Sequence, residues 1–257
     1  MNTAIITLCG QGARIARRLA AKLGDCRVYV HDAVAEPIDA ERFPAVLPLT
    51  EKIFGRYKRL VYIAPCGVVV RAIAPCVRSK LTDPAVVVVD VGGRHAVSLL
   101  SGHEGGANQL ALEVGNALGA EPVISTTTEA VKTLIIGIGC RRGAKTESIE
   151  GAIRGAVEKV GAALEDVRLL ASAGLKADEA GLLQAARGLG LSLRFIPADE
   201  ILSTAKHFRP SAFVAEKVKL PAVAEPSALL AGRRTQLILP KTIINGVTVA
   251  VARENCL

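Results

Sequence analysis

Short runs of β-branched residues alternate with alanine-rich amphipathic segments through the first 130 residues of the chain. Residues 13–23 place aliphatic side chains on one side and cations on the other, a spacing that predicts a helix ended by Gly24. The valine run at 86–90 predicts a strand buried on both faces. This alternation is typical of βα units around a parallel sheet. Further strands are predicted at 4–8, 27–30, 60–64, 95–100 and 122–125, and a second helix at 107–118.

A polar run at 125–129 interrupts this pattern, and a second α/β unit follows it. We place the domain boundary at 127–132 and expect an amino-terminal domain at 1–130 and a carboxy-terminal domain at 131–257. The sequence thus predicts an α/β fold of two small domains, each with a mostly parallel or mixed sheet flanked by helices. In the second domain, strands are predicted at 134–138, 167–171, 193–196, 236–239 and 247–251, and helices at 146–160, 179–189, 211–218 and 226–230.

The composition narrows the class of protein. Half of the residues are apolar but only 3% are aromatic, and there is no Trp, so both cores are expected to be aliphatic. No stretch approaches the roughly 18–20 uninterrupted apolar residues that a membrane-spanning helix needs. The first residues lack the basic start and the apolar run of a signal peptide. We therefore expect a cytoplasmic protein with no membrane partner.

The charge balance points to an acidic partner, because the formal charge is +8 and the pI is near 9.4. Lys and Arg occur singly or in pairs, and three Tyr and five Phe supply few of the stacking platforms that bind single-stranded nucleic acid. A small polyanion is therefore favoured over nucleic acid.

The cysteine pattern excludes two kinds of site. No C-x-x-C pair occurs, which argues against a zinc ribbon or a thioredoxin-like redox centre. Free thiols are the default expectation, although a disulfide between Cys66 and Cys76 stays open if the source is a hyperthermophile. The six cysteines are Cys9, Cys26, Cys66, Cys76, Cys140 and Cys256.

The glycine-rich loop 101–108 (SGHEGGAN) is the strongest local signal for chemistry. At a strand-to-helix junction, glycines allow close backbone approach, and the helix N-terminus offers unpaired N–H groups to an anion or oxyanion. His103 or Glu104 would then be the general base that activates water. A tight turn in which His103 and Ser101 only cap the helix is an equally weighted alternative. No second histidine completes an H-E-x-x-H motif, so no zinc site is expected.

Two other glycine clusters miss the dinucleotide fingerprint G-x-G-x-x-G, since 10–12 lacks the third glycine and 137–143 (GIGCRRG) is one residue too long. NAD binding is therefore rejected. In the second cluster, Arg141 and Arg142 suit carboxylate recognition, and a solvated basic turn is the alternative. Cys140 lies beside these two cations, which would lower the pKa of its thiol, but no histidine is near it in sequence.

Arg71 lies inside the apolar run 67–74, where a charge needs a partner. Either Asp83 or Asp90 neutralises it as a structural pair, or the carboxylate of a ligand does. By default, two other charged segments are expected to be solvated turns: 176–179 (KADE) and 239–241 (LPK).

Taken together, these segments resemble the cobalt-precorrin-5A hydrolase family, the CbiG proteins of the anaerobic cobalamin pathway. The resemblance covers nearly the whole chain. Members usually carry several tens of further residues between two signatures, whereas here only about 126–132 separates them, so the chain resembles a short form. The amino-terminal signature is recognisable at 67–75 (GVVVRAIAP), 80–90 (KLTDPAVVVVD) and 98–108 (SLLSGHEGGAN), and the carboxy-terminal signature at 137–143, 176–179, 239–241 and 247–250 (VTVA).

The resemblance implies that the chain opens the δ-lactone of cobalt-precorrin-5A and cleaves a carbon–carbon bond, releasing acetaldehyde to give cobalt-precorrin-5B. The many carboxylates of such a tetrapyrrole agree with the basic composition. Cobalt arrives inside the substrate, so no cofactor or metal site is expected in the protein itself. The catalytic residues are expected to be His103, Glu104 and Ser101, and the substrate-binding residues Arg71, Lys80, Gly105, Gly106, Asn108, Cys140, Arg141, Arg142, Lys176 and Lys241.

Two rival functions remain open at this point. A corrinoid-binding or delivery protein is one, because the carboxy-terminal domain of the family also exists as a separate protein in the aerobic pathway. A nucleotide-binding α/β protein is the other, suggested by the near-miss glycine loops. Other enzymes of the cobalamin pathway and a second copy of the chain are both compatible partners.

Overall fold

The computed structural model describes residues 2–255 and, within them, every side chain except those of 212–214. The chain divides between Thr127 and Thr128 into two compact units. Each unit contains a β-sheet with flanking helices, so the predicted α/β fold class is confirmed. No helix within residues 2–255 is long and apolar enough to cross a membrane.

The first unit is built around a seven-stranded sheet. Its strands are β1 (Thr3–Thr7), β2 (Cys26–His31), β3 (Glu41–Phe43), β4 (Arg59–Ile63), β5 (Ala85–Val89), β6 (His95–Leu100) and β7 (Glu121–Val123), and its helices are α1 (Gly10–Leu23), α2 (Val46–Ile53), α3 (Cys66–Ile73) and α4 (Ala107–Leu118). The strand order is β3-β2-β1-β4-β5-β6-β7. The first five strands in this order are parallel, β6 is antiparallel to β5, and β7 is parallel to β6.

Both faces of this sheet are covered. Ile5 of β1 packs in one core with residues of α1 and α4, whereas its neighbours Ala4 and Ile6 pack in another with residues of α2 and α3. Successive side chains of a strand point to opposite faces, so a strand that is apolar at every position fits a sheet covered on both sides. The valine-rich β5 is such a strand, and all five of its residues are buried, as predicted.

The segments that form β3, α2 and α3 were not predicted from the sequence as strands or helices. In α3, Val68, Val69 and Val70 follow one another, and three consecutive β-branched residues show no helical period. The helix is instead stabilised by packing, since Val69 and Ile73 lie one turn apart and are both buried against the sheet.

The second unit has a five-stranded sheet with the order β10-β9-β8-β12-β11. Helix α5 (Thr127–Ala130) contains the division between the units. The strands are β8 (Leu134–Gly139), β9 (Val167–Ala173), β10 (Leu193–Ile196), β11 (Thr235–Ile244) and β12 (Val247–Glu254), and the helices are α6 (Thr146–Lys159), α7 (Ala180–Gly188), α8 (Ala198–Ser203), α9 (Ala212–Val218) and α10 (Ala224–Leu230). Strands β8, β9 and β10 are parallel, and β12 is antiparallel to both β8 and β11.

Strand β11 corrects one prediction. It continues past the expected end at residue 239 through Pro240 and Lys241, so these residues are not a solvated turn. Because β11 lies at the edge of the sheet, the missing N–H of Pro240 is tolerated, and the register shifts on either side of Leu239.

Helix α10 packs very closely on β8. A Cβ atom on Gly137 would overlap the carbonyl oxygen of Ala224, so the first glycine of the GIGCRRG segment is required for helix packing. Packing of α10 thus accounts for Gly137, the first glycine of the near-miss to the dinucleotide fingerprint.

Candidate functional site

The turn at residues 101–106 lies at the edge of the first sheet where the parallel strands begin. Strand β6 runs antiparallel to β5, and Leu100 at its end pairs with Val86 near the start of β5. Ligands of open parallel sheets usually bind at the opposite edge, beyond the carboxyl ends of the strands. The turn therefore lies at the edge opposite to the one where such sheets usually bind ligands.

The backbone of the turn is closed on itself. Ser101 has a left-handed conformation with φ 57°, and its carbonyl accepts the N–H of Ala107 at 3.1 Å. The carbonyl of Gly102 accepts the N–H of Asn108 at 2.9 Å. The prediction that the N-terminus of α4 offers unpaired N–H groups is therefore wrong for these two donors. The N–H groups of Gly105 and Gly106 remain as the candidate oxyanion donors.

Gly105 is fixed by close packing. A Cβ atom at this position would overlap Ser101 and would lie 3.3 Å from the carbonyl oxygen of Asp83. The turn thus packs against the segment that enters β5, and only a glycine fits there.

His103 and Glu104 both lie on the surface of the turn. Glu104 Oε1 accepts a hydrogen bond from Lys80 Nζ at 2.7 Å, and this bond holds the pKa of Glu104 below its ordinary value. A lowered pKa makes the carboxylate a weaker base. The ion pair with Lys80 therefore makes Glu104 less suited to the predicted role of general base.

The other two polar residues of this segment are buried. Asn108 Oδ1 accepts from Ser98 Oγ at 2.8 Å, and Asn108 Nδ2 donates to Thr126 Oγ1 at 2.9 Å. Asn108 therefore links the end of β6 to the segment after β7. Ser101 Oγ, by contrast, is a buried oxygen with no hydrogen-bond partner among residues 2–255.

Arg71 is not neutralised in the way the sequence suggested. Its side chain is exposed, and Nη1 donates to the carbonyl one turn earlier in α3 at 3.0 Å. Asp83 instead accepts the N–H of Arg78 at 2.9 Å, and Asp90 accepts the N–H of His95 at 2.8 Å. The predicted structural ion pair is therefore wrong, and the alternative of a ligand carboxylate remains.

In the second unit, the ends of β8 and β9 meet around a buried ion pair. Glu179 Oε1 accepts the N–H of Gly143 at 2.9 Å, and Glu179 Oε2 lies 3.5 Å from Lys176 Nζ. The two side chains are only 4% and 8% exposed, so the solvated turn expected at 176–179 is wrong. The reason is tertiary, because the carboxylate holds the loop that follows β8 and the ammonium compensates its charge.

The remaining residues of this loop differ in their surroundings. Arg142 Nη1 forms an exposed ion pair with Asp178 Oδ2 at 2.8 Å, and the side chain of Arg141 is exposed. Burial raises the pKa of the Cys140 thiol, although Lys176 acts in the opposite direction. The expected lowering of this pKa by the two arginines is therefore wrong, and Cys140 is poorly suited to be a nucleophile.

Glu225, which is 1% exposed in α10, was not among the residues singled out from the sequence. Its carboxylate accepts the N–H of Lys241 at 2.8 Å and the N–H of Arg209 at 2.6 Å. The side chain of Lys241 is exposed. A carboxylate within an otherwise apolar helix segment, AEPSALL, was the available signal.

Within residues 2–255, no group of three or more His, Cys, Asp and Glu side chains could hold a metal ion. Cys66 and Cys76 are both free thiols.

Family models match both units. Residues 48–129 match the model described as Cobalamin synthesis G N-terminal, and residues 134–252 match the model described as Cobalamin synthesis G C-terminus. This chain belongs to the cobalamin synthesis G (CbiG) family. The 101–108 turn lies in the amino-terminal match of this CbiG chain, and the Lys176–Glu179 pair lies in its carboxy-terminal match.

Individual relatives agree with this assignment. A cobalt-precorrin-5A hydrolase of Priestia megaterium is 39% identical over 153 residues, which are 57% of this chain and 41% of that protein. A cobalt-precorrin-5A hydrolase of Salmonella typhimurium is 37% identical over 149 residues, covering 54% and 41%. Protein CobE of a Sinorhizobium species is 33% identical over 128 residues, covering 49% of this chain and 83% of CobE. The CbiG chain thus spans about two fifths of the length of the two hydrolases.

Proposed function

We propose that this chain is a cobalt-precorrin-5A hydrolase that opens the δ-lactone of its substrate and releases acetaldehyde, giving cobalt-precorrin-5B in the cytoplasm. The observation that carries this proposal is the presence of both CbiG matches in one chain. Relatives with this activity in their names are 37% and 39% identical over more than half of the chain. Since the chain spans only 41% of each, the proposal includes that the short form is sufficient for turnover.

The first step is hydrolysis of the lactone. Water adds to the carbonyl carbon as His103 accepts one of its protons, and the carbon–oxygen bond of the lactone then breaks. The departing alkoxide takes the proton from His103, which leaves a carboxylic acid and an alcohol. The exposed position of His103 allows an imidazole to reach a substrate at the surface of the turn.

The negative charge that develops on the carbonyl oxygen needs hydrogen-bond donors. In this proposal, the N–H groups of Gly105 and Gly106 supply them, because those of Ala107 and Asn108 already bond to carbonyls of the turn. Glu104, paired with Lys80, holds the turn and the segment before β5 together.

The second step cleaves a carbon–carbon bond. The new alcohol loses its proton as the bond between its carbon and the macrocycle breaks, and acetaldehyde leaves. The electron pair and a proton pass to the conjugated macrocycle, so the step requires no oxidant or reductant. Cobalt is part of the substrate in this scheme, and the protein contributes no metal ligand.

The peripheral carboxylates of the substrate are proposed to bind exposed cations. Arg71 and Arg141 have guanidinium groups without a carboxylate partner among the described residues, and Lys241 has an exposed ammonium group. Arg142 would have to exchange Asp178 for a substrate carboxylate. Lys176 is already compensated by Glu179, so its proposed part is to position the loop 140–143.

The test is an anaerobic assay of the purified full-length chain with cobalt-precorrin-5A. Acetaldehyde is measured together with the change in the absorption spectrum of the macrocycle. Stoichiometric aldehyde supports the proposal. Tight binding of the intact substrate with no aldehyde would overturn it.

A second candidate function is corrinoid binding or delivery without hydrolysis. The observation that favours it is the match to CobE, which extends over 83% of that protein, whereas the matches to the hydrolases extend over 41% of theirs. The same assay separates the two candidates, because a binding protein shifts the spectrum of the corrinoid but produces no aldehyde.

A further inference from the structure

Helix α3 is apolar on the side that faces solvent as well as on the side that faces the core. Val69, Ala72 and Ile73 are buried against the sheet. The exposed side carries a stripe made of Gly67, Val70, Ala74 and Val77, which we call the α3 stripe. A helix that is apolar all round is normally covered on all sides, so an exposed one indicates a surface that something covers.

The α3 stripe is continuous because the helical path extends beyond the end of α3. Ala74 donates its N–H to Val70 at 3.0 Å, and Val77 donates to Ile73 at 3.2 Å. Gly67 and Ala74 therefore lie about one helical turn from Val70, and Val77 lies about two turns from it. All four residues lie on one face. Val70 is 47% exposed and Val77 is 37% exposed, and Leu81 beyond them is 72% exposed.

Two guanidinium groups border the α3 stripe, and neither has a carboxylate partner among residues 2–255. Arg71 donates to the carbonyl of Gly67 and Arg78 to the carbonyl of Val77, so both side chains fold back on their own backbone. Arg71 lies in the last turn of α3, and Arg78 follows the turn that comes after this helix.

The carboxylates close to this face are already engaged. Asp83 accepts the backbone N–H groups of Arg78 and Ser79, and Glu104 bonds to Lys80. Glu51 of α2 acts electrostatically on Cys76, but no ion pair within the described chain joins it to Arg71 or Arg78. The face is thus apolar along its middle and positive along its border.

We propose that the α3 stripe, with Arg71 and Arg78, is a docking surface for a tetrapyrrole polycarboxylate. The flat face of the macrocycle packs on Val70, Ala74 and Val77, and two peripheral carboxylates bind the two guanidinium groups as bidentate partners. The identity of the ligand rests on the proposed function, whereas the assignment of the surface and of Arg78 goes beyond it.

The small area of the α3 stripe and the charge at its border together favour a small anionic ligand over a protein partner. A protein surface that docks on an apolar stripe buries about 800 Å² per partner, which the four small residues of the α3 stripe cannot supply. A small ligand needs far less area, provided that a few polar groups at the border fix its orientation. The two unpaired guanidinium groups are such polar groups.

The test uses uroporphyrin III, a planar tetrapyrrole with an acetate and a propionate on each pyrrole, titrated into the full-length protein by fluorescence. Val70→Glu and the double variant Arg71→Gln/Arg78→Gln are each expected to weaken binding at least about tenfold. For the double variant, this is the contribution of a hydrogen bond between charged groups. The matched controls are Leu202→Glu, at an exposed apolar residue of α8, and Arg154→Gln, at an exposed arginine of α6. Both controls are expected to bind as the wild type does.

Three outcomes overturn the docking surface. The wild type does not bind uroporphyrin III, or all variants bind it equally, or sedimentation shows a dimer that Val70→Glu dissociates, which would make a second copy the occupant. Acetaldehyde release by the wild type is measured separately. Aldehyde release with equal porphyrin binding in all variants refutes the surface and leaves the hydrolase. Binding that depends on the stripe, without aldehyde, refutes the hydrolase and leaves the surface.

Discussion

Replacing Glu179 by Gln removes one charge from a buried pair and leaves the other in place. Glu179 and Lys176 are 4% and 8% exposed at their side chains, and the carboxylate also accepts the N–H of Gly143 at 2.9 Å. Gln keeps an oxygen that can accept this hydrogen bond. The variant therefore isolates the consequence of leaving Lys176 buried without a counter-charge.

The expected loss of stability is large. Removing one partner of a buried ion pair costs about 3–5 kcal/mol, because the remaining charge stays desolvated. For a unit of this size, 1 kcal/mol corresponds to a shift in Tm of about 3–5 °C, so the midpoint should fall by roughly 10–20 °C. Adding Lys176→Met to Glu179→Gln removes the orphaned charge, and the double variant is expected to lie within about 1–2 kcal/mol of the wild type.

Unfolding should be followed by two probes. The chain has no Trp, and its three Tyr residues, Tyr29, Tyr57 and Tyr62, all lie in the first unit, so tyrosine fluorescence reports on that unit and far-UV circular dichroism on both. A loss confined to the second unit appears as a circular-dichroism transition that precedes the tyrosine transition. Asp178→Asn, which breaks only an exposed ion pair, is the matched control and should shift the midpoint far less.

A cost of less than about 1 kcal/mol for Glu179→Gln would refute this reasoning, because it would mean that water reaches the Lys176 ammonium. A double variant as unstable as Glu179→Gln alone would also refute the assignment of the loss to the uncompensated charge of Lys176. The hydrogen-bonding role of the carboxylate, and not the uncompensated charge, would then be the source of the loss.

Three further predictions concern the two candidate loops. His103→Ala should lower kcat for acetaldehyde release by about 10²–10⁴, whereas the exposed His207→Ala should not, and full turnover in the first variant would exclude His103 as the base. Because burial raises the pKa of Cys140, mass spectrometry should show slower alkylation of this thiol at neutral pH than of the exposed Cys66, with acceleration as the pH is raised. Faster labelling of Cys140 would contradict the burial. Gly105→Ala should cost about 1–3 kcal/mol in chemical denaturation, since its Cβ overlaps the turn, and an unchanged midpoint would show that the turn can move aside.

The sequence predicts best where local pattern and tertiary packing agree. The helix at 107–118 was predicted with the bounds that the structure shows, because its apolar residues recur at helical spacing and Gly119 ends it in a left-handed conformation. Strand β5 was predicted to within one residue, because an unbroken valine run fits a strand covered on both faces. In both cases the signal lies within the element itself.

The elements and contacts that were missed depend on partners distant in sequence. Helix α3 has no helical period, and its conformation follows from the packing of Val69 and Ile73 on the sheet. Lys176 is buried because Glu179 and the loop after β8 enclose it, and a four-residue window cannot show that. The predicted Arg71 ion pair failed for the opposite reason, since an apolar run in the sequence was taken as burial and the arginine faces solvent.

Four of the acidic residues near the candidate segments share a property that bears on the basic charge balance of the chain. Asp83, Asp90, Glu179 and Glu225 each accept backbone N–H groups within their own unit. A carboxylate used in this way fixes a loop, and two of the four also meet a cation: Asp90 lies 3.7 Å from Arg94 Nε, and Glu179 pairs with Lys176. Arg71 and Arg78, by contrast, have no carboxylate partner among residues 2–255. The net charge of +8 therefore includes cations without a carboxylate partner at specific places, such as Arg71 beside the α3 stripe. Exposed cations beside an apolar surface suit a ligand that carries several carboxylates on an apolar framework, while the buried carboxylates hold the loops in place. The proposed substrate is such a ligand.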